Sequence, residues 1–121
     1  MKIFLFTILV ALFSFSTVNA GEADVLNVEV VKVDERVYIF RVTMTHDDEG
    51  WKHYANRWEV VSPNGEVLAA RILHHPHVDE QPFTRALAGV EIPEGIDEVI
   101  IRAHDSIHEY GGKTMKVILP K

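Results

Sequence analysis

The sequence predicts an all-β domain, an immunoglobulin- or fibronectin-III-like sandwich of seven antiparallel strands. Three observations predict it. Seven short β-type segments, each bounded by turn residues, follow one another between Gly21 and Lys121. Apolar side chains recur with a period of two, and no stretch reads as an amphipathic helix. Trp58 falls in the third segment, where immunoglobulin-like sandwiches bury a tryptophan. A small closed barrel is the alternative architecture.

Strand A is Leu26–Val33, rich in valine, and Asp34-Glu35-Arg36 turns the chain into strand B, Val37–Thr45. Tyr38, Phe40, Val42 and Met44 alternate onto one face of B. Strands C (Arg57–Val61) and D (Val67–Leu73) flank Ser62-Pro63-Asn64-Gly65-Glu66, a hairpin in which proline presets φ and glycine takes the left-handed position. Strand E is Thr84–Glu91, Ile92-Pro93-Glu94-Gly95 a turn, and strand F Val99–Ala103. Thr114–Leu119 closes the set as strand G, with Met115, Val117 and Leu119 on one face.

Residues 1–20 read as a signal peptide. Lys2 supplies the positive end, Ile3–Phe15 the apolar stretch and Val18-Asn19-Ala20 the small-residue cut. The apolar run is shorter than the roughly 20 residues of a membrane span. Gly21 rather than Cys follows the cut, so no lipid anchor is signalled. The expected mature chain, 21–121, is a single domain in the periplasm or secreted. It carries 11 Lys and Arg against 18 Asp and Glu, a formal charge of −7. That excess argues against nucleic acid or an anionic membrane as partner and suits a cation. With no cysteine in the chain, disulfides, thiolate metal sites and cysteine nucleophiles are excluded.

The seven histidines fall in three stretches and are absent from the strands between them. His46 and His53 lie in Thr45–Asn56, His74, His75 and His77 in His74–Phe83, and His104 and His108 in His104–Gly112. In the expected sandwich these are the B–C, D–E and F–G loops, which meet at one pole. His74-His75-Pro76-His77 is the densest motif. His75 and His77 point to one side of an extended chain, and the proline limits the entropy lost on fixing them. They are the expected core ligands of a metal, with His104 and His108 the first additions and His74, His53 and His46 further candidates. Nitrogen and oxygen donors without sulfur suit Zn²⁺, Cu²⁺ or Ni²⁺. Nearby carboxylates (Asp47, Asp48, Glu49, Asp79, Glu80, Asp105 and Glu109) could bind or orient the rings. The competing readings are a hydrogen-bonded histidine network tying the loops together and a pH-responsive surface.

Trp51, Tyr54, Phe83 and Tyr110 are expected to staple the long loops onto the core, and Arg85 to pair with Asp79, Asp105 or Glu109. Asp47-Asp48-Glu49-Gly50 lacks the spacing of a calcium loop. His104-Asp105-Ser106 holds the residue types of a serine triad, but sequence neighbours rarely meet in triad geometry and no G-x-S-x-G turn exists. No catalytic residue is assigned.

Trp51–Ala55 (WKHYA), Arg57–Val60 (RWEV), His74–Arg85 (HHPHVDEQPFTR) and Tyr110-Gly111-Gly112 resemble a family of small, uncharacterised exported bacterial proteins. The resemblance implies a periplasmic setting and no activity or cofactor. The chain differs from CopC-like copper carriers, which bind through a histidine at the mature N-terminus, where this chain has Gly21-Glu22-Ala23. It differs from type 1 cupredoxins, which need a cysteine. The expected function is a non-catalytic module binding a divalent transition metal, Zn²⁺ or Cu²⁺. The alternative is a module that docks an envelope protein through the same pole. No nucleic acid, and no membrane after signal cleavage, is expected as partner.

Overall fold

The structure, a computed structural model, describes residues 21–121; the expected signal peptide lies outside them. All seven expected strands are present: β1 (Asp24–Asp34), β2 (Val37–Thr45), β3 (Ala55–Val61), β4 (Val67–Ile72), β5 (Phe83–Glu91), β6 (Glu98–Asp105) and β7 (Met115–Ile118). They form two sheets, ordered β1-β2-β5 and β4-β3-β6-β7, with every pair antiparallel. No helix occurs among the described residues. β4 pairs with β3 rather than with β5, a departure from the constant-type immunoglobulin arrangement, where strand D joins A, B and E.

The alternation on β2 does what its sequence demands. Tyr38, Phe40, Val42 and Met44 are buried and face Trp58 and Val60 of β3 and Val99, Ile101 and Ala103 of β6 within one apolar cluster. Each such side chain taken from water stabilises the fold by about 1.5–3 kcal/mol, and with no disulfide available this core must hold the domain. The β3–β4 hairpin forms as expected. Gly65 has φ of +94°, its N–H donates to the Ser62 carbonyl at 2.9 Å, and the Ser62 hydroxyl accepts from Glu66 N at 3.0 Å.

Two of the boundaries that differ from expectation bear on the site. β3 begins at Ala55 and β6 runs on to Asp105, because these ends pair with each other across a bulge. His104, expected in a loop, therefore sits on a strand opposite Arg57. Asp105, fully buried at the end of β6, is presented to the pole from a rigid element. The three long connections do converge there. His46 N donates to Gln81 Oε1 (3.0 Å), His77 N donates to Asp48 Oδ2 (2.6 Å), and Tyr54 and Ser106 exchange hydrogen bonds.

Candidate metal centre

His46 is the first residue after β2, and its ring is buried. Its Nδ1 donates to Asp48 Oδ1, the same oxygen that accepts Ala55 N at 3.0 Å. Asp48 thus ties together the start of the β2–β3 loop, the start of β3 and the His77 backbone, and it fixes the His46 ring. The free edge of that ring, Nε2, lies 2.8 Å from the Gly21 carbonyl oxygen and 3.3 Å from His53 Nε2. His53 is arranged in the same way. Its Nδ1 donates to Glu49 Oε1 at 2.8 Å, and its Nε2 lies 2.9 Å from Asp105 Oδ2 and 3.1 Å from the Gly21 carbonyl.

Two imidazoles with Nδ1 bound to a carboxylate present Nε2 as a lone pair when neutral. This is the carboxylate–histidine pairing by which proteins orient metal-binding rings. In that tautomer four acceptors converge, two Nε2 atoms, one carboxylate oxygen and one backbone carbonyl; a proton on either Nε2 instead makes it a donor to the Gly21 carbonyl or Asp105. His46, His53 and Asp105 together are the cluster of metal-ligand type among the described residues. Ligands about 2.0 Å from a tetrahedral ion stand about 3.3 Å apart. The separations that involve the two Nε2 atoms run from 2.8 Å to the 3.9 Å between His46 Nε2 and Asp105 Oδ2.

The electrostatics call for positive charge at this point. Burial works against a charged His53 ring, but its hydrogen bonds to Glu49, Asp105 and the Gly21 carbonyl outweigh that and raise its pKa. Burial pushes the Asp105 carboxyl up. Hydrogen bonds from the His108 and Ile107 amides (2.9 and 3.1 Å), then from the His108 and His53 rings, more than reverse this and lower its pKa. Asp105 Oδ1 is buried with no hydrogen-bond partner. A proton on one ring, or a metal ion, satisfies the contacts at Asp105 Oδ2. A cavity of about 310 Å³ lined by Gly21, Asp47, Glu49, His53 and His108 opens the His53 side of the cluster to solvent.

The sequence-predicted ligands separate into three groups. His108 joins the cluster through Asp105, with Nδ1 3.2 Å from Oδ2 and its ring centroid 4.9 Å from that of His53. His75 and His77 do lie side by side, ring centroids 4.8 Å apart, but His77 stacks on Phe83 and its Nε2 accepts from Arg85 Nη2 at 3.0 Å. Burial, then Arg85 and His75, lower the His77 pKa. His74 and His75 are exposed. His104 Nδ1 faces Asn56 Oδ1 at 2.6 Å, and burial followed by Arg57 lowers its pKa.

Two further expectations are corrected. Arg85 pairs with Glu80 at 3.1 Å, not with Asp79, Asp105 or Glu109. Trp51 is not buried against the core; it is 68% exposed and meets Tyr54 edge-on. The participants that sequence reasoning underweighted are Asp105, read as a neighbouring acid, and the Gly21 carbonyl. The available signal was the spacing of His46 to Asp48 and of Glu49 to His53, which gives each ring a carboxylate within its own loop.

A protein of Halomicrobium mukohataei named "Putative lipoprotein" is 40% identical to this chain over 102 residues, 84% of this chain and 50% of that protein. The chain therefore spans about half the length of this relative. No family model matches the chain. No solved structure matches it either.

Proposed function

We propose that the chain is a non-catalytic, exported module that binds a divalent transition metal at its histidine pole. His46 Nε2, His53 Nε2 and Asp105 Oδ2 are the ligands, on an immunoglobulin/fibronectin-III-like sandwich. The observation that carries the reading is the convergence of His46 Nε2, His53 Nε2 and Asp105 Oδ2 beside the Gly21 carbonyl, with each ring's Nδ1 held by a carboxylate. The donor set suits Zn²⁺ or Cu²⁺. Similarity to a protein named a lipoprotein, together with the signal-like residues 1–20, supports export to the periplasm or the medium.

The test is thermal unfolding in EDTA and with added Zn²⁺ or Cu²⁺. An ion held by the native state at 100 times its Kd adds about 2.7 kcal/mol of stability. A clear rise in Tm with the ion, abolished in His46→Ala/His53→Ala, is the expected outcome. An unchanged Tm would leave a protonated histidine network in place of a metal centre. The second reading, docking of an envelope protein, is favoured by Trp51, Val78 and Ile107, large apolar side chains more than half exposed on the same three loops.

A further inference from the structure

We propose that the mature N-terminus is itself a ligand of this centre: a cut between Ala20 and Gly21 places a free α-amine on the residue whose carbonyl already meets His46 and His53, and so creates a Cu²⁺ site. The inference rests on the metal reading above and on the expected signal-peptide cut.

Gly21 does not reach the cluster as a loose end. Asp24 pairs with Thr45 of β2, Val25 N donates to the Lys113 carbonyl at 2.8 Å, and Lys113 N donates to Asp24 Oδ1 at 2.6 Å. On the other side Gly112 lies against the Ala23 carbonyl so closely that a Cβ there would overlap it. Residues 21–25 are clamped between β2 and the Gly111–Lys113 segment, which sets the Gly21 carbonyl 2.8 Å and 3.1 Å from the two Nε2 atoms.

Glycine at this position also has a steric reason. A Cβ on Gly21 would sit 2.5 Å from His108 Cε1, so a side chain would drive His108 from its place beside Asp105. A terminal glycine offers its amine and its carbonyl, which are separated by two carbon atoms. One ion can take both in a five-membered ring. With His46 and His53 the amine raises the donor set to three nitrogens, with oxygen from the Gly21 carbonyl and Asp105 nearby. A nitrogen-rich set with oxygen suits Cu²⁺. The cavity beside Gly21, with Asp47 and Glu49 in its wall, gives a cation an entry path.

The consequence is regulatory. The precursor has an amide nitrogen where the processed chain has an amine, and a neutral amide is a poor metal ligand. Loading is thereby tied to signal removal, and the ion is captured on the far side of the membrane.

The test compares two forms. One is the exported product of the full chain, its start at Gly21 checked by mass. The other keeps Ala20 in front of Gly21. Both are titrated with Cu²⁺, and paramagnetic resonance is recorded on ¹⁵N-glycine-labelled samples. We expect one-to-one binding at least about 100-fold tighter in the Gly21 form, beyond what loss of a hydrogen-bond partner to a ligand costs, and coupling of copper to a glycine amine nitrogen in that form alone. If the Ala20 form melts without cooperativity, the ¹⁵N coupling alone decides. Equal affinity without coupling, or a mature chain starting elsewhere, overturns the inference and leaves the His46–His53 centre intact. No binding by either form overturns the metal reading itself, and this inference with it.

Discussion

The two ends of the molecule gather backbone carbonyls and side chains in opposite ways. At the β1–β2 end a single guanidinium, Arg36, donates from Nε to the Ile92 carbonyl (3.1 Å) and from Nη2 to the carbonyls of Pro93 (2.6 Å) and Ile96. A built-in cation closes that end, and every acceptor it meets is satisfied. At the histidine end the Gly21 carbonyl and the Asp105 carboxylate meet two imidazole nitrogens whose partner rings are already anchored by Asp48 and Glu49. Each contact there needs a proton on a ring nitrogen or a cation between the groups. One end carries its positive charge on a side chain of the fold, and the other gathers His46, His53 and Asp105, groups that could hold an ion.

A matched cluster between the ends gives the largest expected effect. Glu59, buried on β3, accepts from Arg57 Nε and Arg102 Nε, each at 2.7 Å, and from the Tyr110 hydroxyl at 2.9 Å. Glu59→Ala leaves two cations without their carboxylate and should cost about 3 kcal/mol in chemical denaturation. Burial raises the Glu59 pKa, but the bonds from Arg57, Arg102 and Tyr110 win and lower it. Its contribution is therefore complete above the ordinary carboxyl pKa and is lost as the pH falls through the lowered folded value. Glu59→Gln should flatten the acid limb of a Tm-against-pH series. An unchanged acid limb would show that the cluster is not charge-matched.

Arg36→Ala comes next. It strips three carbonyls of a donor and should cost about 2 kcal/mol, since unpaired acceptors at this end lose more than one net hydrogen bond. Metal affinity at the other end should not move, and a fall in affinity would break the separation of the two ends. The smallest effect belongs to His77, held neutral by burial, Arg85 and His75. The unfolded chain binds a proton more readily than the folded one, so stability falls as the pH drops below the ordinary imidazole value. His77→Phe should lose less stability over that interval, measured by urea unfolding at a series of pH values. A wild-type-like slope would mean that His77 is protonated in the fold.

Much of this was legible in the residues. Period-two alternation in β2 and the Pro-Asn-Gly turn between β3 and β4 are local signals that tertiary packing reinforces, and both survive in the structure. The gathering of histidine loops at one end followed from strand count and alternation alone. Which rings meet there was not legible in the same way. His74-His75-Pro76-His77 is dense in sequence, yet in the fold His74 and His75 are exposed and His77 stacks on Phe83, with Nε2 bonded to Arg85 and Nδ1 buried without a partner. His46 and His53 are seven residues apart with nothing unusual between them, and they meet because Asp48 folds their loop back on itself. Asp105 entered the site because β6 outruns its apolar pattern to stay paired with β3. Pairing between strands distant in sequence and side chain-to-backbone knots of this kind have no period to read.

In the proposed function the cation is held by His46 and His53 rather than by the histidine-dense motif. Isothermal titration of Zn²⁺, Cu²⁺ and Ni²⁺ into the protein, His46→Ala/His53→Ala and His75→Ala/His77→Ala separates the two. One-to-one binding with Kd below about 1 μM is expected in the first, a loss of about 100-fold or more in the second, and little change in the third. Binding that survives in His46→Ala/His53→Ala and disappears in His75→Ala/His77→Ala would contradict it, as would weak uptake of several ions by all three.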